Sequence, residues 1–280
     1  MTVTSILEAA DRILRTDGYE AASTNRVARV AGFSVGSLYQ YFRDKQAIVG
    51  ALIDQDLAIE AEQIAEILEG TPVRTARELA AEVFGLMLAR RVARAHLHRT
   101  LDLYAPEFGA TSILEHCRAA QAPLLAESLQ RVCAQVFPRS SRSIDARVFV
   151  LARLATGASF AYAVDAPSAV PLASLRDEFA GAVERFLEGS PPSPHAVTLV
   201  LSWAKGTGAA SPLAEQRARR RRESRGVLLA TAVSTELLEP RAFLLAGLAE
   251  VAHVTQRPPH GATQEDLLHE VARCAEALGV

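Results

Sequence analysis

Residues 31–42 read AGFSVGSLYQYF, and they concentrate hydrogen-bonding tips where a small helix would ordinarily carry aliphatic side chains. Ser34, Gly36, Ser37 and Gln40, with Val35 beside them, offer a small, polar outer face on which base edges or phosphates could rest. Tyr39 and Tyr41 can lay their rings along a sugar-phosphate wall and donate a phenolic hydrogen bond to a phosphate oxygen. Lys45, three residues past the stretch, adds a positive charge at the start of the next helix, whose N-terminus also attracts anions. Gly36 costs roughly 0.5–1 kcal/mol against alanine inside a helix. That loss makes sense if the missing side chain lets the backbone approach a partner closely.

The elements that must position these residues are legible from caps and spacing. A first helix is expected from Ser5, with Glu8 reaching back to the cap, to Gly18, its apolar face made by Ile6, Ala9, Ala10, Ile13 and Leu14. A Ser23-Thr24 cap opens a second helix over Asn25 to Ala31, and Gly32 breaks it. Ser34 caps a third, Val35 to Phe42, in which Leu38 and Phe42, four apart, point back to Val27, Ala28 and Ala31. Asp44 caps a long helix from Lys45 to about Glu69. Two short helices joined by a glycine-containing turn, the second presenting a polar face, is the helix-turn-helix plan for reading DNA in the major groove. Thr24 caps the first helix of the pair, placed for a further phosphate contact.

Further along, amphipathic helices are expected over Thr75 to His98, about Ser112 to Phe137, Ser143 to Tyr162 and Ser174 to Leu187, separated by prolines. The stretch GSPPSPH at 189–195 is a turn or linker. After it, Ser211-Pro212 and Pro240 are expected at helix starts, and Thr263 with Asp266 resembles a capping box. The chain is thus expected to be all-α, divided into residues 1–50, 51–190 and a helical extension at 191–280. The run RARRRRES at 217–224 is the strongest charge cluster, read either as an anion contact or as a solvated helix face.

Bulk properties narrow the function. All but two of the 30 basic residues are arginine, yet the net charge is −2, so any polyanion must be held by a local surface. Cys117, Cys133 and Cys274 are odd in number and form no CxxC pair, which argues against a disulfide framework and fits the cytoplasm. No secretory leader and no membrane span is expected. Absent are a Gly-rich phosphate loop, a GxSxG elbow and an HExxH pair, so neither an enzyme nor a bound cofactor is expected. His96 and His98 are two apart on a helix, and His116 adjoins Cys117, so no metal site is expected either.

The segment TNRVARVAGFSVGSLYQYFRDKQAIVGAL, residues 24–52, resembles the DNA-binding part of the TetR/AcrR family of bacterial transcriptional regulators. Its pattern, T-x-x-[IV]-A-x-x-A-G-[VF]-S-x-G-x-[LI]-Y-x-[HY]-F-x-x-K, is met at every fixed position, with Phe33 and Tyr41 on the permitted variants. The resemblance covers residues 5 to about 55. It implies a three-helix DNA-binding domain followed by a helical domain for effector binding and dimerisation, and a homodimer on a pseudo-palindromic operator. It carries DNA contacts onto Thr24, Ser34, Gly36, Ser37, Tyr39, Tyr41 and Lys45. It also implies a repressor that a small molecule releases from DNA by shifting the separation of the two recognition helices. Candidate effector contacts are the polar or aromatic residues on otherwise apolar helices: His96, His98, Arg99, Tyr104, Phe108, Cys117, Phe160 and Tyr162. Candidate dimer contacts are Val148, Leu151, Leu154, Phe179, Val183 and Phe186. The competing reading is a helical scaffold that has lost specific DNA binding.

Overall fold

Short-range signals decide where most helices start and stop. The computed structural model describes residues 3–69, 75–104, 141–165, 170–188, 192–198, 223, 235–254 and 263–280. Its main elements are α1 (Val3–Asp17), α2 (Thr24–Ala31), α3 (Val35–Tyr39), α4 (Lys45–Glu69), α5 (Ala76–Ala93), α6 (Ala95–Tyr104), α7 (Ser141–Asp165), α8 (Leu172–Glu188), α9 (Thr235–Val254) and α10 (Gln264–Ala277). No strand occurs among the described residues, so the fold is all-α. The expected helix at 112–137 and the start at Ser211-Pro212 lie outside the described residues, as does the run 217–224 apart from Glu223.

Ser23 caps α2 by accepting from the Arg26 N–H, and Gly32, at φ 78°, ends it in the left-handed conformation that glycine adopts without steric cost. Asp44 accepts from the Ala47 N–H at 2.7 Å and opens α4. Thr263 and Asp266 form a complete capping box at α10, and Thr75 and Glu78 form another at α5.

Several boundaries differ from the sequence reading, and α7 runs Ser141–Asp165 where Ser143 to Tyr162 was expected. α1 already runs from Val3, so Ser5 lies inside it rather than capping it. α3 ends at Tyr39, because the Leu38 carbonyl accepts from both the Tyr41 and Phe42 N–H groups, tightening the last turn and carrying Phe42 into the core. The helix expected from Thr75 to His98 breaks at Arg94 (φ −108°, ψ 21°) into α5 and α6. α8 begins at Leu172 after Pro171, whose carbonyl accepts from Leu175, instead of at Ser174. Pro240 lies inside α9, five residues past its first residue, rather than at a helix start.

Two apolar cores hold these helices. The first gathers Ile6, Ala10, Ile13 and Leu14 of α1, Val27 and Ala28 of α2, Leu38, Phe42, the first half of α4, and Leu97 and Leu101 of α6. The second joins Ile64 at the far end of α4 to α5, α7, α8, α9 and α10. Phe84 of α5 stacks on Phe179 of α8 at 4.1 Å. Because α5 serves the second core and α6 the first, one straight helix could not face both. The break at Arg94 is where the chain changes core.

Candidate nucleic-acid interface

Packing behind α3 fixes what it presents in front. Leu38 is fully buried, Phe42 nearly so, and both share the first core with Val27 and Ala28. Val35, counted in sequence among the outward residues, is half-buried against that core. Ser34 caps α3 by accepting from the Ser37 N–H at 3.0 Å, and the two serine hydroxyls lie 2.8 Å apart. Gly36 is exposed, and a Cβ placed there would meet nothing nearer than Ser34 Oγ at 3.9 Å. Nothing inside the protein demands a glycine at this position.

Tyr39 and Tyr41 are 52% and 44% exposed, large values for aromatic rings and a sign that the fold is not what they serve. The Tyr39 hydroxyl lies 3.2 Å from Thr24 Oγ1, tying the start of α2 to the end of α3 and aiming both hydroxyls from one patch. Gln40 is exposed beside them. Lys45 Nζ sits 3.9 Å from the Tyr19 ring centroid and 3.6 Å from Glu20 Oε2, so the ring fixes its stem and a surface carboxylate holds its charge. Arg26 is turned away, paired with Asp17. Ser34, Gly36, Ser37, Tyr39, Gln40 and Tyr41 thus lie on or beside α3, Thr24 is tied to it through Tyr39, and Lys45 is the first residue of α4.

A polar junction lies behind this surface, where α1, α4, α5 and α6 meet. Asp11 accepts from Arg94 at 3.0 Å and faces His96 Nε2 at 2.8 Å; Asp56 accepts from Arg90 at 2.6 Å. Burial pushes the Asp11 carboxyl up, but the hydrogen bond from His96 and the charge of Arg94 outweigh it and hold the group down to about 2. Deeper, the guanidinium of Arg91 donates to Glu60 at 3.1 Å with both residues buried. A cavity of about 390 Å³ opens beside the junction between α1, α4 and α5, with Asp11, Asp56, Arg90 and Arg94 in its lining along with Glu8. Sequence inspection did not single out these four, because partners 34 to 83 residues apart leave no local spacing to notice.

The candidate effector residues among the described ones lie on α6 and α7. His96 belongs to the junction just described. Tyr104 packs its ring against that of Tyr19, tilted by 41° with centroids 4.3 Å apart, the Arg99 Nε donates to the Val164 carbonyl at 3.4 Å, and the Tyr162 hydroxyl donates to the Val170 carbonyl at 2.9 Å. His98 is buried with its ring edge-on to Phe160 at 5.6 Å. Phe108 and Cys117 lie outside the described residues. The candidate dimer residues need correction. Leu151, Leu154, Phe179, Val183 and Phe186 are all at most 4% exposed within a single chain, packed in its own second core, and so offer nothing to a partner. Val148 lies on α7.

Among the described residues, no group of three or more His, Cys, Asp or Glu side chains is placed to hold a metal ion, and no helix is long and apolar enough to cross a membrane.

The architecture is an N-terminal helix-turn-helix set on a larger helical body. Residues 6–52 match the family model for bacterial regulatory proteins of the tetR family, and the chain carries that family's N-terminal domain. The transcriptional repressor AcnR of Corynebacterium diphtheriae is 39% identical over 61 residues, 22% of this chain and 32% of the relative. The transcriptional regulator UidR of Escherichia coli K12 is 35% identical over 69 residues, 25% of this chain and 35% of the relative. The chain thus spans about a third of the length of the curated relatives it matches. In fold, the regulator FadR of Bacillus subtilis, solved with stearoyl-CoA, is similar with a TM-score of 0.53 at 15% identity, over 65% of this chain and 97% of that one. FadR of Bacillus halodurans gives the same score and identity over 65% and 93%.

Proposed function

We propose that this chain is a sequence-specific DNA-binding regulator of transcription, a repressor that a small molecule bound in its helical body releases from the operator. The observation that carries the reading is the outward face of α3. Tyr39 and Tyr41 are exposed, Gly36 is a glycine no internal contact requires, and the Thr24 hydroxyl lies against that of Tyr39. A scaffold would gain nothing from keeping these groups together in water, whereas a major groove and its phosphates use each of them. Two copies would sit on half-sites one helical turn apart, about 34–36 Å. The cytoplasm is where such a regulator would meet its DNA.

The test is a titration of the purified chain against duplexes tiled from the DNA flanking its own gene, at physiological salt with excess nonspecific competitor. Tight binding to one tile, lost in Tyr39→Phe and Lys45→Ala with helicity unchanged, supports the reading and supplies the assay in which releasing ligands are screened. Binding that is equally weak on every tile and indifferent to both substitutions favours the scaffold.

A further inference from the structure

The apolar stripes of α7 and α8 were expected to meet a second copy in a four-helix contact. In the structure both helices are already sandwiched. On one side they pack on α5, where Phe179 stacks on Phe84. On the other side α9 and α10 cover them, all within one core.

The fit on that second side is specific. Leu154, Ala158 and Tyr162, spaced by four, form a stripe along α7 that faces α9. Gly247 of α9 comes so close that a Cβ there would lie 3.5 Å from Leu154 Cδ1 and 3.9 Å from the Ala158 Cβ. Phe243 meets Tyr162 edge-on at 6.0 Å. Charge matching accompanies the apolar contact. Buried Glu178 of α8 accepts from Arg241 of α9 at 2.8 Å and from Arg185 of its own helix. Buried Glu270 of α10 accepts from Arg147 of α7 at 3.2 Å and from Arg273 at 3.0 Å. Arg273 also donates to the Phe186 carbonyl at 3.0 Å, and Arg185 donates to the Ala277 carbonyl at 2.7 Å. Undocking α9 and α10 would strand buried charges on both sides, a far larger penalty than exposing an apolar stripe.

We propose that α9 and α10 stand in for the helices of a second protomer. α9 and α10 complete the four-helix arrangement with α7 and α8 inside one chain, so a second copy cannot use this face. Any self-association of the chain, including that of two copies on an operator, runs through another surface. This inference does not depend on the DNA-binding reading, and its readout involves no DNA.

The full-length chain carrying Ala158→Cys and Gly247→Cys tests it, since the 3.9 Å separation falls within the range of about 3.5–4.5 Å that a disulfide spans between Cβ atoms. On oxidation, peptide mapping and a non-reducing gel should show the 158–247 bond at the mobility of one chain, with the sedimentation-equilibrium mass of the native protein unchanged. A bond between chains, or an oxidised protein of smaller assembly mass than the native one, overturns the proposal. As a check free of substitutions, an equal mixture of light- and heavy-nitrogen chains is treated with a carboxyl-reactive cross-linker. Links between α8 and α10 should carry a single isotope; mixed-isotope links overturn the proposal as well.

Discussion

At the scale of single residues, the structure separates what serves folding from what faces outward. Gly36 lies in open space in a helix, so Gly36→Ala should raise stability by up to about 0.5–1 kcal/mol in denaturant unfolding. The same variant should bind operator several-fold more weakly; an affinity equal to that of the native chain removes Gly36 from the contact surface. His98 makes the opposite case. Among the described residues neither ring nitrogen has a hydrogen-bond partner, and burial, reinforced by the charges of Arg91, His96 and Arg94, pushes its pKa from 6.5 down to about 3. A folded-state pKa below the unfolded one means that the unfolded chain binds the proton first. The stability this neutral ring permits is therefore whole above about pH 6.5 and declines on acidification towards pH 3, at up to about 1.4 kcal/mol per pH unit. Urea unfolding at pH 7 and pH 5 should show that loss in the native chain and a smaller one in His98→Leu.

At the scale of elements, legibility follows the range of the signal. Ser23, Gly32, Ser34 and Asp44 act on backbone groups within three or four residues, so α2, α3 and the start of α4 could be read from their own neighbourhoods. The α5–α6 break could not, because Arg94 carries no breaker chemistry. Its position follows from ties to Asp11, 83 residues earlier, and to Asp56, and from two cores that face different ways. The face of α7 and α8 was misassigned for a related reason: an apolar stripe announces that it will be buried but not by which helix. Likewise, polar residues on apolar helices looked like ligand contacts, yet Tyr162 and Arg99 spend their hydrogen bonds on backbone carbonyls nearby in the fold. The junction offers a direct check. Asp56 is buried and holds Arg90 and Arg94 of the next elements, so Asp56→Ala should cost about 3 kcal/mol by leaving those charges underpaired. Adding Arg90→Met should recover part of that loss in the same denaturation measurement.

For the whole molecule, charge sets the expectation. With a net charge of −2 there is no global attraction to a polyanion, so affinity for DNA must come from phosphates neutralised at the α3 surface. Log affinity should fall linearly with log salt, at a slope of about −0.9 for each phosphate neutralised; a flat titration between low and physiological salt would sink the phosphate assignments. The arrangement around α3 also bears on how such a chain diversifies. Leu38, Phe42, Ser23 and Gly32 keep the helix pair in shape from behind, while Gly36, Gln40 and Tyr41 carry little of that duty. On the proposed reading, descendants could exchange these outward residues one at a time without passing through an unfolded ancestor, so that the DNA preferred by a lineage would drift while its architecture is inherited intact.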